Sequence, residues 1–242
     1  MSDIAIETRQ LTKTYQNKTA LASLNLTVAR GEIFGLLGHN GAGKTTTVSL
    51  LTTLLEPSSG HASVWGHDVT KQSMNVQRSI GYLPENVQLY DDLSLNENLA
   101  FFGTLSGLRS PKTRIRETLE LLEFTGHDDE KLASFSKGMR QRAGIAQAIL
   151  HQPKVLFLDE PTSGLDPQGV KKLRDLILKL NKELGITIFM NTHLLSEVTQ
   201  TCTSIGILRA GQLVYQDTLK NTLAAFPKES SLENIYFQIE KV

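Results

Sequence analysis

A chain of 242 residues with 25 basic and 25 acidic side chains has no formal net charge, which argues against broad electrostatic binding to nucleic acid. At 40% hydrophobic and 21% charged residues it has the make-up of a globular protein, long enough for one α/β domain with a subdomain. A lone cysteine, Cys202, excludes an internal disulfide, fits a reducing cytosol and reads as a small core filler.

The segment from Met1 to Glu7 has neither the basic region nor the apolar core of a secretory signal. No apolar run approaches the roughly 20 residues that a membrane helix needs. The expectation is a protein that does not span a membrane but can dock onto one that does.

Ile4 to Thr8 alternates and reads as a strand. Leu11 to Tyr15 follows, then a polar turn at Gln16-Asn17-Lys18. Leu21 to Val28 alternates again, with Leu24, Leu26 and Val28 on one face. Arg30-Gly31-Glu32 turns the chain into Ile33 to Leu37, an apolar run suited to a buried strand. Next comes Gly38-His39-Asn40-Gly41-Ala42-Gly43-Lys44-Thr45-Thr46, which fits G-x-x-x-x-G-K-[ST], the phosphate-binding loop. Thr46 to Leu51 reads as the start of a helix, so the motif has its strand–loop–helix context. Glycines let the backbone wrap and turn N–H groups inward, and the helix N-terminus adds its positive end. Lys44 would reach the β- and γ-phosphates, and the Thr45 hydroxyl would sit on Mg²⁺.

Glu56 to Gly60 is a turn cluster, Ala62 to Trp65 a short strand, and Gly66-His67-Asp68 its turn. Ser79 to Leu83 is a strand stopped by Pro84. From about Ser94 to Leu150 the spacing becomes helical, with Leu95, Leu99 and Phe102 on one face and Ile115, Leu119 and Leu122 on another. Within it, Phe135-Ser136-Lys137-Gly138-Met139-Arg140-Gln141 precedes a helical stretch, where Ser136 reads first as a helix cap. Val155 to Leu158 is a continuous apolar run ending in Asp159-Glu160. At the C-terminal edge of a parallel sheet such carboxylates face the ligand crevice. Asp159 can hold Mg²⁺ through water, and Glu160 can polarise the water that attacks the γ-phosphate.

Val170 to Leu184 is an amphipathic helix, with Leu173, Leu176, Ile177 and Leu180 as its stripe and Gly185 as its C-cap. Ile186 to Met190 is another buried strand. Ile205 to Leu208 and Gln212 to Tyr215 flank Ala210-Gly211 as a hairpin. The tail from Ser231 is a short helix with Leu232, Ile235 and Ile239 on one side and a capping box from Ser230 to Glu233.

The ordered set of motifs resembles the nucleotide-binding subunit of ABC transporters, over essentially the whole chain. The set is the loop Gly38–Thr46, the signature-like Phe135–Gln141, the acidic strand Val155–Glu160, Ser163-Gly164-Leu165-Asp166 as a D-loop, and Asn191-Thr192-His193 as a switch histidine. The resemblance implies one P-loop NTPase domain over 1–242. Its α/β ATP-binding core, with an N-terminal antiparallel β subdomain, would take 1–85 and 153–242, and a helical signature subdomain 86–152. It implies ATP and Mg²⁺ as cofactors, with Thr45, Glu85 and Asp159 as metal ligands and Tyr15 stacked on adenine. Glu160 and His193 would be catalytic. Two copies, or a pseudo-dimer with a second ATPase subunit, would sandwich two ATPs. Ser136, Lys137, Gly138 and Met139 would act in trans, and Gly164, Leu165 and Asp166 would link the two sites.

Three positions depart from the family pattern. Glu85 stands where Gln is usual, Met139 ends a signature that is commonly LSGGQ, and His39 lies in the loop. The first two resemble a subgroup serving two-component exporters. The implied role is to power a separate membrane-spanning permease from the cytoplasmic face, with a coupling helix received in a groove near Glu85 to Leu99. A soluble ABC ATPase acting in assembly is the rival reading. A GTPase switch is disfavoured, because no N-K-x-D motif occurs.

Overall fold

The computed structural model describes residues 3–241, apart from residues 125, 228 and 230. β1 (Ile4–Tyr15) and β2 (Lys18–Ala29) form a long antiparallel pair. β3 (Ile33–Leu37) leaves for a second sheet, and α1 (Lys44–Leu51) follows it. β4 (Ser59–Val64) and β5 (His67–Asp68) return to the first sheet, whose order is β2-β1-β4-β5. α2 (Ser73–Ser79) leads into β6 (Ile80–Leu83), and α3 (Leu95–Leu105), α4 (Lys112–Leu121) and α5 (Lys137–Ile149) follow. The chain then runs through β7 (Val155–Asp159), α6 (Pro167–Leu184), β8 (Thr187–Asn191), α7 (Leu195–Thr201) and β9 (Ser204–Arg209). It closes with β10 (Gln212–Thr218), α8 (Leu219–Ala225) and α9 (Leu232–Lys241). The second sheet has the order β10-β9-β3-β8-β7-β6 and is parallel except at β10. This is an α/β core carrying an antiparallel β subdomain and a helical insert.

β3, β7 and β8 are buried along their whole length, as strands covered on both faces must be. Period-two alternation then sorts their side chains. Phe34, Phe157 and Phe189 share a core with α1 and the antiparallel sheet, and Phe189 packs on both others at 5.3 and 5.4 Å between centroids. Ile33, Leu156, Leu158, Ile188 and Met190 join a separate core with the stripes of α3, α5 and α6. A phenylalanine fully removed from water contributes about 1.5–3 kcal/mol, so the three together are a large share of a domain's net stability.

The structure departs from the sequence expectation at local details. β1 does not break before Leu11; it runs through register shifts between Thr8 and Lys13. Gln10 and Ser23 take left-handed φ values of 50° and 55° there, and the side chains of Asn25 and Thr12 accept their N–H groups in place of ladder partners. His67-Asp68 is strand rather than turn. The turn is Trp65-Gly66, with φ of 53° and 80°, the type I′ geometry of a two-residue hairpin. Ala210-Gly211 makes the same kind of turn at 47° and 81°. α2 has no counterpart in the pattern reading. Phe102 is only half-buried, and Gly103 takes the core position beside Leu150 and Pro111. The capping box expected at Ser230 lies outside the described residues, and the Ser231 hydroxyl accepts from the Asn234 N–H at 3.3 Å. Cys202 is buried against Gly35, and burial pushes its thiol up to about 12, as befits a core filler.

α5 lies so close to β6 that a Cβ on Gly81 would sit on the backbone carbonyl of Ala148. Gly81→Ala should therefore destabilise the protein by about 1–3 kcal/mol through overpacking. Thermal unfolding followed by circular dichroism checks this. An unchanged melting temperature would mean that α5 is not seated on β6 as described.

Candidate functional site

The loop after β3 is built by close contacts. A Cβ on Gly38 would meet the Leu208 carbonyl at 2.5 Å, and one on Gly43 would meet the Ala20 carbonyl at 2.7 Å. Gly43 also has φ of 110° as it opens α1. The loop is thus pressed between β2 and β9 and turned onto the helix N-terminus, where backbone N–H groups lack helical partners. Lys44 is buried and folds back over the loop. Its ammonium donates to the carbonyls of Gly38 at 2.7 Å and His39 at 3.3 Å. Burial lowers its pKa, while Glu160 and Asp159 pull the other way.

The carboxylates come from the end of β7. Asp159 is buried, and its Oδ1 accepts from Asn191 Nδ2 at 2.7 Å. Burial raises its pKa, the Asn191 amide opposes that shift, and Glu85 adds to it through like charge. The Tyr82 hydroxyl also bonds to Asp159, and burial pushes that phenol up to about 12. Glu160 sits one residue on with φ of 46°, a left-handed value that costs a side-chain-bearing residue about 1–2 kcal/mol. Its N–H is shared between the Asn191 carbonyl and Asn191 Oδ1, both at 3.1 Å. Its carboxylate meets His193 Nδ1 at 2.9 Å through one oxygen and the Lys44 ammonium at 3.9 Å through the other. His193 is half-exposed, whereas the Glu160 side chain is only 13% exposed.

A cleft of about 790 Å³ gathers Tyr15, His39, Asn40, Gly41, Gly43, Lys44, Thr45, Thr46, Glu85, Glu160 and His193, together with Lys18, Thr19, Ala20 and Ala210. Asp159 lies behind it. Gly38 and Ala42 form the floor of the loop rather than lining the cleft, and Ala42 is fully buried. Tyr15 is 42% exposed at the end of β1, with the Lys13 ammonium 5.2 Å from its ring. Ser136, Lys137, Gly138 and Met139 are elsewhere. Ser136 caps α5, its hydroxyl accepting from the Met139 N–H at 3.3 Å. All four line a separate cleft of about 490 Å³ with Gly164, Leu165 and Asp166. Asp166 caps α6 by accepting from the Gly169 N–H at 2.9 Å. The two clefts share no residue.

Among the described residues no group of three or more His, Cys, Asp or Glu side chains could hold a metal unaided. Magnesium does not require one, since it keeps several waters and takes one or two carboxylates plus substrate phosphate oxygens. Thr45 and Glu85 face the cleft, and Glu85 and Asp159 repel one another. That donor set fits a hydrated divalent cation. Tyr82 and the side chain of Asn191 were not singled out from sequence. Tyr82 stood in a strand pattern, and Asn191 entered only as the neighbour of a histidine.

The ABC transporter family model matches residues 21–163. The chain is 39% identical over 239 residues to an uncharacterised ABC transporter ATP-binding protein of Bacillus subtilis (strain 168), YhcH, covering 98% of this chain and 75% of that one. It is 42% identical over 209 residues to the bacitracin transport ATP-binding protein BcrA of Bacillus licheniformis, covering 86% and 68%. A solved structure of the ATP binding subunit of an ABC transporter superposes with a TM-score of 0.85 at 30% identity, covering 98% of this chain and 99% of the other.

Three substitutions separate charge from stacking in the cleft. Lys44→Ala removes the buried cation of the loop and should abolish ATP binding in isothermal titration; unchanged affinity would refute its role. Base–aromatic stacking is worth roughly 1–3 kcal/mol, so Tyr15→Ala should weaken ATP about 5- to 150-fold and Tyr15→Phe hardly at all. An equal loss in both would assign the effect to the hydroxyl.

Proposed function

The chain belongs to the ABC transporter family, and from that premise we propose that it is the ATP-binding and ATP-hydrolysing subunit of a two-component exporter. The observation that supports the mechanism is the division of its motifs between two clefts with no residue in common. Neither cleft is a whole site. Two copies arranged head to tail, or one copy and a second ATPase subunit, would close both.

In this reading the loop N–H groups and Lys44 hold the β- and γ-phosphates, and Tyr15 stacks on adenine. Thr45, Glu85 and Asp159 would hold Mg²⁺, which supplies positive charge to the phosphate oxygens. Glu160 takes the proton of the attacking water. His193, already 2.9 Å from the Glu160 carboxylate, orients it and faces the γ-phosphate. Ser136, Lys137, Gly138 and Met139 of the second copy cover the same phosphate from across the interface. Gly164, Leu165 and Asp166 sit beside them in each chain and relay closure from one site to the other. Segment 86–152 carries the signature as one subdomain, and 1–85 with 153–242 carries the loop.

The permease would dock at the start of that subdomain. Asn98 is fully buried and ties down the preceding loop, donating to the carbonyls of Tyr90 at 3.0 Å and Ser94 at 3.0 Å and accepting from the Tyr90 N–H at 2.8 Å. Val87 and Leu89 pack inward, and Tyr90 is left half-exposed against Phe101 and Phe102. Such a rigid aromatic patch suits a short amphipathic helix of a membrane partner. No helix among the described residues is long and apolar enough to cross a membrane, so attachment would be peripheral, at the cytoplasmic face. The likeness to the bacitracin transport protein supports transport of a small molecule, and export of a small molecule or ion rests on the subgroup that Glu85 and Met139 resemble.

Blocking the base should trap the closed pair. Glu160→Gln keeps size and hydrogen bonding but accepts no proton, so turnover should fall by about 10²–10⁴. ATP should then hold a dimer on size exclusion, absent with ADP and absent in the wild type at steady state. Ser136→Arg in the same background should abolish the dimer and spare monomer ATP binding. Near wild-type hydrolysis by Glu160→Gln would overturn the base assignment.

A further inference from the structure

Asn191 ends β8 on the face that carries Leu36 and Asp159, its neighbours on the strands to either side. It is fully buried. Its amide is used at both ends. Nδ2 donates to Asp159 Oδ1 at 2.7 Å, and Oδ1 accepts from the Glu160 N–H at 3.1 Å. The backbone carbonyl of Asn191 accepts from that same N–H at 3.1 Å. One side chain therefore spans two consecutive carboxylate residues, at the point where β7 gives way to the left-handed turn of Glu160. A residue with φ of 46° persists only where its surroundings hold it. The aim of the Glu160 carboxylate depends on this turn, since the carboxylate lies between His193 and Lys44 and a shift of the backbone would move it off both.

We infer that Asn191 is a positioning residue for hydrolysis: its amide holds the turn that aims Glu160 and ties that turn to Asp159. The inference rests on the reading of Glu160 as the base. It requires both a donor and an acceptor of asparagine length. Leucine fills the same volume with neither, and serine is too short to reach both partners. The backbone bond from Glu160 to the Asn191 carbonyl survives any substitution, so the turn should loosen rather than unfold.

The experiment is steady-state ATPase kinetics on Asn191→Leu and Asn191→Ser, with equilibrium binding of a non-hydrolysable ATP analogue, in wild-type and Glu160→Gln backgrounds. In the wild-type background kcat should fall about 10- to 100-fold, while KM and analogue affinity stay within about threefold. In the Glu160→Gln background the same changes should alter the residual rate by less than about twofold, because they act through a group already disabled. Should the leucine variant fail to fold, the serine variant carries the same expectation. A kcat within twofold of wild type, an analogue affinity that falls in step with kcat, or losses that multiply with Glu160→Gln would each overturn the positioning role. Wild-type turnover by Glu160→Gln alone is a different result, since it removes the base on which the inference rests.

Discussion

The Lys44 ammonium lies out of water between the carbonyls of its own loop and the carboxylates at the end of β7. An ion removed from water carries a penalty of several kcal/mol, even after relaxation. Here it is partly offset by one short carbonyl bond, one longer one and a carboxylate at 3.9 Å, and the burial still lowers the Lys44 pKa. Every partner comes from a different constraint. Gly38 presents its carbonyl because only glycine clears Leu208, and Glu160 is in reach because β7 and β3 share a sheet through β8. The packing of the two cores therefore sets where the charge sits.

Much of this was legible in the sequence because it depends on patterns that sequence carries directly. Continuous apolar runs marked β3, β7 and β8, since burial on both faces leaves no polar alternation. The glycine spacing marked the loop, and the stripe of Leu173, Leu176, Ile177 and Leu180 marked α6. What was missed depends on partners far away in the chain. The bulges of β1 rest on side chains of Asn25 and Thr12, which no local pattern announces. The type I′ turn at Trp65-Gly66 places a tryptophan at positive φ, where its type gives no warning; the Arg30 guanidinium covers its ring at 4.0 Å. Asn191 sits at the end of a β-branched and aromatic strand, and its value appears only when Asp159 is beside it.

The alternation that builds the core also delivers the site. Phe34, Phe157 and Phe189 face one way, and two residues further along the same strands lie Leu36, Asp159 and Asn191 on the same face. β7 and β8 thus pass from an aromatic anchor to their terminal residues without a change of register. The strain at Glu160 is small on this scale. A left-handed residue costs about 1–2 kcal/mol, and an N–H bond returns about 0.5–1.5 kcal/mol, so the shared bonds to Asn191 roughly balance the turn. A turn held near balance stays in place at rest and yields to small changes in its partners.

The charges divide between the clefts as the side chains do. Glu85, Glu160 and, behind them, Asp159 stand at the loop cleft with Lys44 and Lys18. Lys137, Arg142 and Lys172 stand at the signature cleft with Asp166. The lining charges thus balance at the loop cleft, with Glu85 and Glu160 against Lys18 and Lys44, whereas the signature cleft is basic. At physiological salt such a field reaches about 8 Å, so it acts at contact range and does not draw a partner from a distance. Lys137 stands where LSGGQ has its first glycine, so it and Glu85 change charge in opposite senses, Glu85 adding a negative charge at the loop cleft and Lys137 a positive one at the other. Were two copies to pair head to tail as proposed, those two additions would stand at one nucleotide and offset each other in charge.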